Sequence, residues 1–181
     1  MSLPRPRLQT LIVEVTQRCN HACQHCYNVW YGRDNASPVY PPGELDTAGM
    51  LHLLGKALDE TRGSHVTLTG GEPLLRDDLP LLVDLLRQRG VPTTLISNGH
   101  LLDAARIADL LQRGIGLFEL PLLSHTGALH DQLSAAPGAW QAVVRAMANI
   151  RRQQGQFVAA FVATRLNIAH LTETIKLAFA L

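Results

Sequence analysis

Residues 66–99 read VTLTGGEPLLRDDLPLLVDLLRQRGVPTTLISNG, and this stretch decides the fold class. Val66 to Thr69 is a short β-branched and aliphatic run of the kind that forms a buried strand. Leu79 to Arg89 follows, with Leu82, Leu85 and Leu86 spaced to lie on one face of a helix. Gly90 after Arg89 is the expected C-terminal punctuation. Thr93 to Ile96 then gives a second buried run. A strand, a helix and a strand in roughly 30 residues make a unit whose two strands run parallel.

The same unit recurs outward in both directions. Leu11 to Val15, Leu117 to Leu122 and Phe157 to Thr164 read as further buried strands; the last is longer and nearly all apolar, as expected of a parallel strand covered on both faces. Thr47 to Thr61 places Met50, Leu51, Leu54 and Leu58 on one helical face. Asp103 to Arg113 does so with Ile107, Leu110 and Leu111, and Trp140 to Gln153 with Val143, Val144 and Met147. Gly63, Gly114 and Gly155 follow putative helix ends. Five alternations in 181 residues give about 36 residues per unit, which predicts an α/β fold: a parallel sheet of alternating strand-helix units. A full eight-unit barrel takes about 250 residues, so the expectation is a partial (β/α) barrel, with about five of six units present. The last helix, Leu171 to Leu181, runs off without a closing glycine or a sixth strand. The chain therefore reads as one core domain over residues 1–181, truncated at its C-terminus.

Composition narrows the function classes. Hydrophobic residues make up 46% and charged residues 17%, enough for one sizeable core that needs no metal merely to fold. Sixteen Lys and Arg against fifteen Asp and Glu leave a formal charge of +1, which supplies no broad field for nucleic acid or anionic lipid. No apolar run approaches the ~20 residues of a membrane helix. Met1 to Arg7 is basic with two prolines, but no apolar region of a secretion signal follows. A cytoplasmic address is the resulting expectation.

Right-handed crossovers bring the segments after every strand to one edge of the sheet. That edge collects the cysteine loop after the first strand, Gly70-Gly71-Glu72-Pro73 after the second, Ser97-Asn98-Gly99 after the third and Ser124-His125 after the fourth. All three cysteines of the chain, Cys19, Cys23 and Cys26, fall within eight residues. An odd number at this density is no disulfide framework. Soft sulfur ligands favour iron-sulfur clusters or zinc, and a cluster normally takes four cysteines, so three leave one iron open. The competing readings are a closed zinc site with His21 or His25 as fourth ligand, in a zinc-stabilised α/β binding module without catalysis, and three buried thiols without metal. In Gly70 to Pro73 the glycines let the backbone approach a ligand closely, and Glu72 can accept hydrogen bonds from an ammonium group.

The C-x3-C-x2-C loop, with His25 in an aromatic slot and Tyr27 following, and the downstream Gly-Gly-Glu-Pro resemble the radical S-adenosylmethionine (radical SAM) enzymes, in motif order as well as content. The resemblance implies a 4Fe-4S cluster on Cys19, Cys23 and Cys26. S-adenosylmethionine would chelate its fourth iron and, after one-electron reduction, split to methionine and a 5'-deoxyadenosyl radical that abstracts hydrogen from a substrate. It also implies an electron donor such as a flavodoxin or ferredoxin. Many members of this style act on peptides and carry a C-terminal cysteine-rich extension. Gly70, Gly71, Glu72 and Pro73 would bind the methionine end, and Asn98 would contact ligand or shape the pocket. Where related enzymes carry a Ser-Leu-Asp run against the ribose, this chain has Pro121 in place of the serine. Ser124 is the candidate to take over, with Glu119 behind it. Arg165, beside Thr164 and Asn167, is a candidate anion clamp. Trp30-Tyr31 and Tyr40-Pro41-Pro42 are expected to cover the cluster.

Overall fold

Strands β1 (Leu11–Thr16), β2 (Val66–Gly70), β3 (Thr93–Ile96), β4 (Ile115–Pro121) and β5 (Phe157–Ala160) form one sheet in that spatial order, every neighbouring pair parallel. The computed structural model describes residues 9–27, 43–61 and 64–181. The helices are α1 (Thr47–Thr61), α2 (Leu79–Gln88), α3 (Ala104–Arg113), α4 (Gly127–Ser134), α5 (Ala139–Arg152) and α6 (Leu171–Ala180). Because strand order equals chain order, each crossover steps the same way. Right-handed crossovers then put the helices in one layer on one face, the winding of a barrel rather than of a doubly wound sheet. Accordingly α1 packs on α2, α2 on α3, and α3 on α5.

Side chains alternate across a strand, and the core follows that period. Val66 and Leu68 of β2, Leu95 of β3, and Phe118 and Leu120 of β4 are buried in one cluster with Leu54, Leu82, Leu86, Ile107, Val143 and Met147 of the helices. The intervening positions, Thr67, Thr69, Thr94 and Glu119, belong to the opposite face, the one that would line a barrel's interior. The five-unit open sheet is thus the partial barrel expected from the sequence.

Three expectations need correction. The last strand was expected to run to Thr164 and to be covered on both faces; it ends at Ala160 and is an edge strand, with Val158 45% exposed. Its continuation is diverted into Asn167, whose Oδ1 accepts from Thr164 N and whose Nδ2 donates to Val162 O, so these backbone groups do not extend the ladder. Secondly, β1 is the opposite edge, and its Ile12 is 65% exposed rather than buried. Thirdly, α4 was not expected at all. The expectations placed on Met1 to Arg7, Trp30-Tyr31, Tyr40 to Pro42 and Gly63 lie outside the described residues. Among the described residues no helix is long and apolar enough to cross a membrane.

Candidate functional site

The loops after the strands are tied together at the C-terminal edge of the sheet by backbone and side-chain hydrogen bonds. Gly71 N donates to Thr16 O (2.8 Å) and Glu72 N to Arg18 O (2.7 Å), which ties the turn after β2 to the start of the cysteine loop after β1. Ser97 N donates to Glu119 O (3.1 Å), joining β3 to β4. Asn98 Nδ2 donates to Asn20 Oδ1 (2.7 Å), and Asn167 Nδ2 to Leu123 O (2.9 Å). The cysteine loop, Gly70 to Pro73 and Asn98 are thus brought together, and Asn167 ties the loop that carries Ser124 to the end of β5.

The cysteine loop is held at both ends. At its start, Thr16 Oγ1 and Gln17 N donate to Glu44 Oε1 (2.7 and 2.8 Å), and Arg76 Nη1 donates to Val15 O (3.0 Å). Farther on, Gln24 N donates to Leu133 O and Gln24 Nε2 to Gln132 O, docking the loop on the end of α4. Cys19 and Cys23 are half-buried and Cys26 is exposed, all as thiols rather than disulfide halves. Burial, and then the neighbouring Cys19 and Cys26, push the Cys23 thiol up to about 12. Three thiolates so close together repel one another, and a bound cation relieves that repulsion.

The donor set also bears on which metal fits. Among the described residues, no three His, Cys, Asp or Glu side chains gather closely enough to enclose a single ion. A closed zinc site needs four ligands around one point, and the described residues gather no such cage. A 4Fe-4S cube makes a different demand, since each cysteine takes its own iron. Three thiols on one loop supply three of its four ligands. In addition His25 Nδ1, between Cys23 and Cys26, is buried with no hydrogen-bond partner among the described residues. His21 is engaged elsewhere: it lies edge-on against His100 with ring centroids 5.4 Å apart, and burial lowers it to about 4.

Glu72 sits where expected, and its surroundings define what it does. The residue is fully buried. Its Oε1 accepts from Leu74 N (3.1 Å) and Ser97 Oγ (3.0 Å), and its Oε2 from Asn98 N (2.7 Å). Burial pushes it up to about 7 against the pull of these donors. The carboxylate therefore laces the turn after β2 to the turn after β3. The glycines before it serve a close approach to the chain's own backbone. A Cβ on Gly70, which has φ +136°, would stand 2.2 Å from Thr16 O, and one on Gly71 2.2 Å from Arg18 O. Pro73 opens a 3-10 turn over Pro73–Leu75 that Glu72 caps.

On the far side, Ser124 is buried, with its Oγ 3.1 Å from Thr126 Oγ1 and 3.3 Å from His170 Nδ1. Arg165 is exposed on the rim; among the described residues no hydrogen bond or ion pair links it to the other loops. Sequence reasoning missed Asn20, Glu44 and the buried Arg76, whose guanidinium holds Asp78 at about 2. The Arg-Asp-Asp run just past Pro73 is the one local signal that could have pointed to a buried ion pair. Glu44 and Asn20 carry none, since their partners are remote in sequence.

The family model described as the Radical SAM superfamily matches residues 13–178, which take in the cysteine loop, Gly70 to Pro73 and all the later loops. The PqqA peptide cyclase of Gluconobacter oxydans is 32% identical over 178 residues, covering 98% of this chain and 48% of that protein. An AdoMet-dependent heme synthase of Oleidesulfovibrio alaskensis is 27% identical over 183 residues, covering 98% and 45%. The structure of Streptococcus suis SuiB bound to S-adenosylmethionine is similar with a TM-score of 0.79 at 15% identity, covering 97% of this chain and 39% of that one, a likeness of fold. The chain spans about half the length of the curated relatives it matches. With its fold, its cysteine loop and 166 consecutive residues matched, the chain belongs to the radical SAM superfamily, whose cofactors, a 4Fe-4S cluster and S-adenosylmethionine, are its own.

Proposed function

We propose that this chain is the cofactor-binding core of a radical SAM enzyme in which Cys19, Cys23 and Cys26 each hold one iron of the cluster and the fourth is left to S-adenosylmethionine. When bound, the pair supplies reductive cleavage to methionine and a 5'-deoxyadenosyl radical that takes a hydrogen atom from the substrate. The observation that carries this reading is the lacing of a three-thiol loop to the Gly-Gly-Glu-Pro turn by two backbone hydrogen bonds at the edge where the strand ends meet. Gly70 and Gly71 let the two segments touch, Glu72 and Pro73 fix the turn, and Asn98 borders the loop. Ser124 keeps the far loop in shape, and the exposed Arg165 suits a carboxylate.

A peptide substrate is supported by the likeness to the PqqA peptide cyclase. Reduction of the cluster calls for a low-potential electron donor such as a flavodoxin or ferredoxin. A cluster held by cysteine thiolates calls for a reducing compartment, and an address in the cytoplasm goes with that reading.

The test is iron and sulfide content per chain after anaerobic reconstitution, with the spectrum of the reduced protein before and after S-adenosylmethionine. The expected result is a loaded chain whose spectrum the nucleotide perturbs, with slow release of 5'-deoxyadenosine. Cys23→Ala abolishes the perturbation and His25→Phe largely preserves it. A loaded chain that S-adenosylmethionine leaves unchanged overturns the proposal, and loss in His25→Phe returns a histidine-ligated metal to consideration.

A further inference from the structure

Among the described residues, the backbone N–H of His21 and the side-chain amide of Asn98 are directed at the Cys19 sulfur. His21 N donates to Cys19 Sγ at 3.4 Å, a contact internal to the loop. The second comes from outside it: Asn98 Nδ2, after β3, lies 4.0 Å from the same sulfur while donating to Asn20 Oδ1 at 2.7 Å. The Asn98 amide is fixed from every side. Its Oδ1 accepts from His100 N (2.9 Å), and its backbone N donates to the buried Glu72 carboxylate (2.7 Å). That carboxylate also holds Ser97, the residue before it, while Glu72 N holds Arg18 O, the residue before Cys19. A closed ring of contacts thus runs Arg18, Cys19, Asn98, Glu72 and back to Arg18. Within this ring the side-chain donor to sulfur is the Asn98 amide.

A ligand sulfur bearing an N–H donor carries less negative charge. The donor therefore stabilises the reduced cluster, which is more negative by one electron, over the oxidised one, and hydrogen bonds to the sulfurs are among the levers that set a cluster's potential. We infer that Asn98 is a positioning residue that raises the reduction potential of the cluster through its amide on Cys19, with Glu72 as the strut that keeps the amide there. This rests on the reading of Cys19 as a cluster ligand. It assigns Asn98 a task distinct from contact with S-adenosylmethionine.

The test is a redox titration of the reconstituted chain without S-adenosylmethionine, followed by the electron paramagnetic resonance of the reduced cluster, for wild type, Asn98→Ala and Asn98→Leu. Leucine keeps the branched shape and removes the donor. Iron content and circular dichroism are measured on each protein. The expected result is full iron content with a reduced-to-oxidised ratio at a given poise lower by about threefold to tenfold, tenfold being about 59 mV for a one-electron couple. Ser97→Ala, which removes a contact to Glu72 but none to sulfur, leaves the potential where it was. A loaded Asn98 variant with the wild-type potential overturns the inference. So does failure of both variants to hold iron while wild type holds it, because Asn98 would then only shape the loop. A wild-type chain that binds no iron is a separate failure, that of the cluster reading itself.

Discussion

Glu72 is prominent in the sequence, and in the structure its carboxylate ties the turn after β2 to the turn after β3. Its pKa of about 7 against 4.5 for an ordinary glutamate comes first from burial. The folded chain keeps a proton that the unfolded chain has released, so this contribution to stability is complete below pH 4.5 and is lost as the pH rises through 7. Glu72→Gln cannot ionise and lacks that dependence. The stability of wild type relative to Glu72→Gln should therefore fall between pH 4.5 and 7, by up to about 3 kcal/mol. His130 acts in the opposite direction: burial lowers it to about 4, so it costs stability as the pH falls from 6.5. Both proteins carry it, and it cancels in the difference. Urea midpoints of the metal-free proteins at pH 5 and pH 7.5 check this; a difference that does not change with pH would mean that Glu72 titrates as an ordinary carboxylate.

At the scale of elements, the join between the ends of β1 and β2 is where the site is made or lost. Gly71→Ala would place a methyl group 2.2 Å from Arg18 O, with backbone on both sides and no flexible side chain to give way. The metal-free variant should lose at least about 2 kcal/mol in denaturant unfolding. Gly90→Ala, at a φ of +65° but with nothing within 4 Å, should lose only about 1 kcal/mol. Equal losses would show that the join is not the tight point. The same elements mark how far the sequence could be read. The sequence pattern located all five strands and α1, α2, α3, α5 and α6, most plainly where an apolar face is buried, as in α2 and α5, whereas β5 and α6 bury little. It missed α4, eight residues with a glycine at the start and three buried positions, His130, Leu133 and Ser134, two of them polar. It overran β5, because Phe157 to Ala163 is apolar throughout and the end of its ladder is set by Asn167, a tertiary partner. The Gly-Gly-Glu turn and the cysteines were legible as a site. That the glycines meet residues 16–18 and that Glu72 faces Ser97 and Asn98 was not, because spacing along one segment carries no record of what another segment brings to it.

Across the whole molecule, packing is centred on β2, β3 and β4, and the site hangs partly from an edge. Phe118 of β4 is fully buried against the helix layer, whereas Val158 of the neighbouring β5 is 45% exposed. Phe118→Ala should cost about 3–5 kcal/mol, and Val158→Ala well under half of that. Native-state hydrogen exchange follows the same gradient: amides of β2 to β4 should open only with global unfolding, and those of β1 and β5 by smaller openings. The cysteines descend from β1, an edge strand, while their supports, Gly71, Glu72 and Asn98, descend from β2 and β3 in the protected centre. A metal cluster bound to the loop would close the gap between these two regions. Because metal binding adds its free energy to the state that holds it, loading with iron and sulfide should slow exchange in Leu11–Thr16 by at least about tenfold and leave Phe157–Ala160 unchanged. Equal slowing at both edges would point to a general rise in stability. No slowing in β1 would mean that the loop takes up its metal without being anchored to the strand that carries it.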